Sequence, residues 1–449
     1  MGSSTLAGTP TASEDTRNPK LARLPAAIVL RQHRVFFGAV AAVMLHIADD
    51  NFFQPADGVS PADHLVAGLV PLGLLALAAW AYPRVRDGAR ALIALAAALT
   101  GLVTGLTEPV SHLVQSSFRG DDVTGVLAGV AALVLVVLAV RTLWRSRRTE
   151  GPRTRRYVRR TVIGVLGLAV LFELALPFAA GYVSSHISRI EVPTPELGAD
   201  PEDVTLTTSD GLHLDGWYVP SRNGAAVIVF PGRKAPQDHA RMLVRHGYGV
   251  LLFDRRGEGT SDGDPSTFGW GGARDIHAAV DYLQDRPDVE AGRIGGLGLS
   301  VGGEMMLEAA AENPDLAAIV TEGAGTRSLQ ERLVHLDGGD LLRGFPNLAA
   351  NQAGLALFSN SQPPPSLVDV VPDIAPRPVL LIYAPDGGTS ETMTPLYHRL
   401  IGSSATVWSM PDVEHLKGLQ THSEDYESRV VGFFDRALRD ADPTQAGEE

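Results

Sequence analysis

Long apolar runs and short alternating ones divide this chain into two unlike halves. Five apolar segments come first, roughly Val35–Phe53, Leu65–Tyr82, Ala89–Leu106, Val123–Leu143 and Thr161–Val183. Each has about the 17–25 residues that a helix needs to cross a bilayer. A single run of this kind can be a buried soluble helix. Five in succession predict a membrane domain over residues 34–183. Residues 1–33 are polar and rich in Ser, Thr, Ala and Pro, and read as a disordered tail. No short apolar core with a small-residue cleavage site follows the start, so no secretory signal peptide is expected.

From Ile190 the pattern changes. Pro193, Pro195 and Gly198 mark a linker over residues 184–202. Short β-type runs then alternate with amphipathic stretches. Val204–Thr208 and Leu212–Val219 predict a hairpin around Ser209-Asp210-Gly211. Further strands are expected at Ala225–Phe230, Gly249–Asp254, Ile294–Leu299, Leu316–Thr321, Val379–Tyr383 and Ala405–Ser409. Helices are expected at Asp238–Arg245, Ala273–Gln284 and Val301–Glu312, with a last one from Ser423. This alternation predicts an α/β domain over residues 203–441, built on a doubly wound, mostly parallel sheet. The fold class is therefore α/β, preceded by an all-α five-helix transmembrane domain. Residues 442–449 read as a second disordered tail.

Charge adds an orientation. The net charge of -13 argues against nucleic acid as a partner. The positive residues are unevenly placed. The first tail carries Arg17, Lys20, Arg23 and Arg31, and the loop from Asp49 to His64 has four aspartates and no Lys or Arg. Arg84, Arg86 and Arg90 follow the second segment. Glu108, Asp121 and Asp122 against Arg119 follow the third. The loop from Arg141 to Arg160 holds nine arginines. Lys and Arg mark cytoplasmic loops, so the amino terminus is expected inside and the carboxy-terminal domain outside. The chain has no cysteine, which excludes disulfides, thiolate nucleophiles and Cys-ligated metals. Glu108 and His112 share a helix face at metal-ligand spacing. Ordinary interfacial polar groups explain them as well, and no metal and no cofactor are expected.

The candidate chemistry centres on Gly298-Leu299-Ser300-Val301-Gly302, at a predicted strand-to-helix junction. A G-x-S-x-G in that setting is a nucleophile elbow, whose strained turn lifts the serine above the sheet edge. Three further motifs follow the same order as in one known group. They are Phe230-Pro231-Gly232-Arg233, Asp254-Arg255-Arg256-Gly257-Glu258-Gly259-Thr260-Ser261, and Pro411-Asp412-Val413-Glu414-His415. With them, residues 203 to 440 resemble the α/β-hydrolase superfamily, and in particular membrane-anchored members of the kind found in actinobacteria.

Ser300 is the expected nucleophile, and a serine hydroxyl needs a base within reach. His415, on the loop after the last strand, is the expected base. His239, His246, His277 and His398 fall on predicted helices, and His422 sits at a helix start. The orienting acid should lie between them in sequence. Glu391 and Asp386 both follow the strand Val379–Tyr383. The stretch Ser390–Pro395 resembles the family's acid loop, which favours Glu391 and leaves Asp386 as the alternative. The resemblance implies an oxyanion hole from the backbone N–H groups of Val301 and Arg233, although Pro231 stands where the family has histidine. Asp254, Arg256 and Ser261 are read as turn-fixing residues. Glu304, one helical turn after Ser300, is read as packing or solvent contact in preference to a support for the site, and Gly269-Trp270-Gly271 as a site wall or a helix cap. Between Gly323 and Pro376 the strand–helix rhythm breaks, and apolar residues sit among Gly and Pro. This stretch, 324–377, resembles a lid, and it could equally pack against the membrane domain.

These features predict a membrane-embedded serine hydrolase acting on ester or thioester bonds of small-molecule or lipid-like acyl substrates. Acyl transfer or peptide cleavage on the same triad is the alternative, as is a non-catalytic sensor or scaffold. A transporter is disfavoured, because few charges lie mid-helix. Fold alone does not choose among such chemistries.

Overall fold

The computed structural model describes residues 26–55, 58–114, 122–145, 152–187, 189–190, 196–234, 236–334, 338–386 and 389–439. Its first half is helical: α1 (Ala26–Ala48), α2 (Leu65–Ala81), α3 (Asp87–Val114), α4 (Asp122–Arg145), α5 (Arg153–Val170) and α6 (Leu176–Ser185). A π-helical turn, Leu171–Ala175, joins α5 to α6 in one rod. Five helices are thus long and apolar enough to cross a membrane. One boundary differs from the expectation. α1 starts at Ala26, inside the stretch read as a tail. The apolar run Ala26–Leu30 carries the helix backwards, and Arg31, His33 and Arg34 had broken that run in the sequence. Residues 1–25 and 440–449 lie outside the described residues.

The bundle core gathers Phe36, Val43, Leu75, Ala98 and Leu135. α3 and α4 approach closely. A Cβ on Gly105 would stand 2.7 Å from both Ala128 Cβ and Gly125 O. Small residues at such crossings let backbones approach closely. The α5–α6 rod has a different character. Pro177 has no N–H, so the Phe172 carbonyl five residues earlier loses its π-type donor. The preceding pair is intact, with Leu176 N–H bonded to Leu171 O.

The second half is an eight-stranded sheet: β1 (Glu202–Thr207), β2 (His213–Val219), β3 (Ala226–Phe230), β4 (Gly249–Phe253), β5 (Ile294–Leu299), β6 (Ala318–Glu322), β7 (Val379–Tyr383) and β8 (Ala405–Ser409). The order is β1-β2-β4-β3-β5-β6-β7-β8. β1 and β2 are antiparallel to their neighbours, and the rest run parallel. The helices are α7 (Gln237–Arg245), α8 (Gly272–Gln284), α9 (Val301–Glu312), α10 (Leu329–Val334), α11 (Gly338–Phe358), α12 (Leu367–Val370), α13 (Thr394–Ile401), α14 (Gly418–Thr421) and α15 (Ser423–Phe434). Along β3, Ala226, Ile228 and Phe230 join the core beneath α8, α9 and α13. Val227 and Val229 join the core beneath α7 and α15. The two-residue period of a strand thus feeds both layers. This is the doubly wound, mostly parallel arrangement that the sequence predicts.

The irregular stretch 324–377 contains α10, α11 and α12. α11 is a 21-residue helix despite Pro346 in its interior. It lies along α6. A Cβ on Gly354 would stand 2.1 Å from Phe178 O, and one on Gly181 would stand 2.3 Å from Leu355 N. Contacts advance in step along both helices, which therefore run parallel. Asn347 Nδ2 donates to Phe172 O at 3.3 Å, and Asn351 Nδ2 to Pro177 O at 3.2 Å. Phe358 meets Tyr182 edge-on at 5.1 Å. The carbonyl orphaned by Pro177 is the one Asn347 serves.

The loop after β4 completes the junction. Thr267 N–H donates to Ser184 O at 2.7 Å. Arg189 donates to the carbonyls of Ser261 and Gly263. His64 stands 2.8 Å from Asn360 Nδ2 and 3.6 Å from an Asp264 oxygen.

Candidate active site

Ser300 sits between β5 and α9 with φ 51° and ψ -123°. A non-glycine residue at positive φ marks strain that the surroundings must hold. Here the Ser300 N–H donates to Glu322 O at 2.8 Å, and its carbonyl accepts from the N–H groups of Gly303 and Glu304. The motif glycines are needed for close approach. A Cβ on Gly302 would lie 2.4 Å from Pro231 Cδ, and one on Gly298 would lie 2.5 Å from Gly302 O.

His415 and Glu391 converge on this serine. His415 Nε2 lies 3.0 Å from Ser300 Oγ. Its Nδ1 lies 2.5 Å from Glu391 Oε1. The second Glu391 oxygen accepts the Ala384 N–H at 2.7 Å. Glu391 is buried, while His415 is partly open to solvent. An Nδ1–H facing the carboxylate leaves the Nε2 lone pair toward the hydroxyl. The Glu391 bond raises the His415 pKa above the ordinary imidazole value, outweighing burial, and the Glu322 and Glu304 charges add to it. Asp386 is exposed in the turn after β7. His422 pairs with Asp412 at 2.9 Å instead.

The oxyanion donors divide. Val301 is the first residue of α9, where a helix N–H has no intrahelical acceptor. Arg233 requires a correction. Its N–H donates to Asp254 Oδ1 at 2.7 Å, so it is committed to that carboxylate rather than presented to a substrate. The Arg233 side chain is held too. Nε donates to Asp254 Oδ2 at 2.8 Å, and the guanidinium lies 4.8 Å over the Trp217 ring.

Neighbouring residues hold the loops around the site. Ser261 Oγ donates to Asp254 O at 2.7 Å, and Arg256 pairs with Asp275 and Asp210. Trp270 is fully buried and Gly271 precedes the first turn of α8. Glu304 is buried and accepts the Gly325 N–H at 3.1 Å. Burial, against the opposing charge of Arg327, pushes its pKa up to about 7.

Glu322 escaped the sequence reading, which ended its strand at Thr321. It accepts from Gly418 N–H at 3.0 Å and from Tyr426 O–H at 2.7 Å. A His239 ring nitrogen stands 3.4 Å away. Burial alone would raise its pKa, but these partners hold it below the usual value. Glu322 thereby ties down the turn that carries His415, where Leu416 has φ 61°. Its signal was available: a carboxylate at the carboxyl end of a parallel strand, beside the strand bearing Ser300.

Among the described residues, no group of three His, Asp or Glu side chains is placed to hold a metal. The side chains of Glu108 and His112 lie outside the description. His46 bonds to Thr104 O at 2.9 Å.

A family model described as X-Pro dipeptidyl-peptidase (S15 family) matches residues 183–372. That range holds Ser300 but ends before Glu391 and His415. A polyketide transferase from a Penicillium species is 39% identical over 126 residues, covering 26% of this chain and 43% of the transferase. An alpha/beta hydrolase domain-containing protein of Arabidopsis thaliana is 28% identical over 247 residues, covering 53% of this chain and 76% of the relative. A solved Pyrococcus furiosus esterase is 22% identical with a TM-score of 0.46, covering 57% of this chain and 98% of the esterase. The chain spans under half the length of the first curated relatives it matches.

Proposed function

The carboxy-terminal half of this chain belongs to the α/β-hydrolase superfamily, and from that premise we propose a membrane-embedded serine hydrolase that cleaves carboxylic esters or thioesters. The observation that carries the reading is the unbroken line from Ser300 Oγ through His415 to Glu391. Ser300 attacks the acyl carbonyl while His415 Nε2 takes its proton. Glu391 holds the imidazole tautomer and stabilises the imidazolium that forms. The Val301 N–H stabilises the oxyanion. His415 then protonates the leaving alcohol or thiol, which departs from the acyl-enzyme. Water, deprotonated by His415, releases the acid and restores Ser300.

The loop charges support an amino terminus inside the cytoplasmic membrane and a hydrolase domain outside it. Exposed Leu341, Leu342 and Phe345 on α11 support an acyl substrate with apolar character. The peptidase family model and the transferase relative support a second reading, peptide cleavage or acyl transfer through the same Ser300 acyl-enzyme.

The test is a fluorophosphonate probe on membranes carrying the full chain. Wild type is expected to label and Ser300→Ala to lose labelling. A folded wild-type protein that does not label would favour a non-catalytic scaffold. Turnover of ester, thioester and peptide substrates by the unlabelled wild-type enzyme then separates the two readings.

A further inference from the structure

Between α3, the α5–α6 rod and α11 lies an apolar cavity of about 380 Å³. That falls in the range of about 300–1,000 Å³ common to small-molecule sites. Leu99, Val103, Leu174, Phe178 and Phe358 supply much of its wall. The cavity runs along α3 from Ala96 to Thr104 and along the rod from Val170 to Tyr182. At 1.5 Å per residue this is roughly 12–18 Å. The hydrocarbon core of a bilayer is about 30 Å thick, so the cavity is one leaflet long. Val170, Leu171 and Leu174 flank it with exposed apolar side chains, which makes it continuous with the surface that would face lipid.

Its outer end changes character. Thr104, Tyr182 and Phe358 are shared with a small adjoining pocket that Asp50, Asn51 and His186 also line. An apolar channel with a polar end, opening on a lipid-facing surface, fits a molecule of the same build. The geometry points to a binding site for one acyl chain of an outer-leaflet phospholipid, wedged between the bundle and α11. This inference rests on the membrane reading given under Proposed function. Because α11 forms one wall, an occupied site holds α11 against the rod and links lipid to the segment that resembles a lid.

The experiment uses the full chain in phosphatidylcholine nanodiscs doped with a phospholipid bearing a mid-chain diazirine. After irradiation, cross-linked peptides are mapped by mass spectrometry. Residues 96–104 and 170–182 should carry about tenfold more label per residue than the exposed face of α4 at Leu133 and Val137. Ala175→Phe fills the cavity and should cut that label about tenfold while leaving α4 unchanged. Ala350→Phe does the same from the α11 wall, should the first variant not fold. Equal labelling of cavity and α4, or cavity label untouched by both folded variants, overturns the site. Loss of label to a few mole per cent oleate overturns the phospholipid in favour of a free fatty acid. Release of the chain from membranes by alkaline carbonate overturns the membrane reading, and the site with it. Retention in the membrane with equal labelling overturns the site alone.

Discussion

The two halves treat irregular backbone differently. In the sheet half, the strain at Ser300 is resolved locally: its N–H and carbonyl are served by Glu322, Gly303 and Glu304, all within the same domain. In the helical half, the break at Pro177 is not resolved locally. Its orphaned carbonyl, on Phe172, is served by Asn347 from the other half. The sheet half is thus complete in itself around its site, while the helical half is completed from outside. Each of the following measurements presses on that contrast.

The largest effect is expected inside the sheet half. Glu391→Gln should lower turnover by about 10⁴, because the amide no longer stabilises the imidazolium or fixes its tautomer. Asp386→Asn should remain within about twofold of wild type, since an exposed turn residue contributes little. Collapse of the Asp386 variant with an active Glu391 variant would reassign the acid. The same pair controls pH dependence. His415 must be neutral to act as base, and its pKa is raised. Turnover should therefore rise with pH through a value above the ordinary 6.5, and the limb should move down in Glu391→Gln. Stability has the opposite sign. The charged His415–Glu391 pair contributes fully below pH 6.5, and that contribution fades as pH rises through the folded pKa.

A smaller effect is expected at the seam. Gly354→Leu forces a side chain into the Phe178 backbone and should cost about 1–3 kcal/mol by thermal melting. Fluorophosphonate labelling of Ser300 should persist, because the site does not draw on that contact. Loss of labelling in a protein that still melts cooperatively would show that the sheet half is not self-sufficient. Asn347→Ala should cost about 1 kcal/mol, by returning the Phe172 carbonyl to an unpaired state. Asn347→Asp should not restore it, since a carboxylate has no donor.

The most local effect concerns Glu304. Its folded pKa of about 7 exceeds the ordinary 4.5, so the folded state keeps a proton that the unfolded chain has lost. Stability should fall as pH rises from 4.5 to 7. Glu304→Gln should flatten that part of the curve. An unchanged slope would place the raised carboxyl elsewhere.

What was legible in the sequence follows the same division. Strands β3, β5 and β7 could be read to within a residue, because each is a buried apolar run ended by turn residues. The chain order of elbow, acid loop and histidine pointed to Ser300 and His415 and favoured Glu391 over Asp386, and the structure brings Ser300, His415 and Glu391 within hydrogen-bond reach. Arg233 misled because a motif names a backbone position without saying what its N–H bonds to, and Asp254 lies 21 residues downstream. Glu322 acts through partners on α7, α14 and α15, which no local pattern reveals. α11 was hidden because Gly338, Gly339 and Pro346 read as breakers. Its helix is secured by packing against α6, a long-range effect that outweighs local propensity.

The bond from Asn347 to the Phe172 carbonyl bears on how the molecule is made. Residue 172 leaves the ribosome long before residue 347 is translated. Through that interval the fifth apolar segment carries an acceptor that its own helix does not answer. The nascent helix is therefore provisional, and its final form waits for a piece of chain that must first be made and folded. The helical half is the first to be synthesised and the last to be finished.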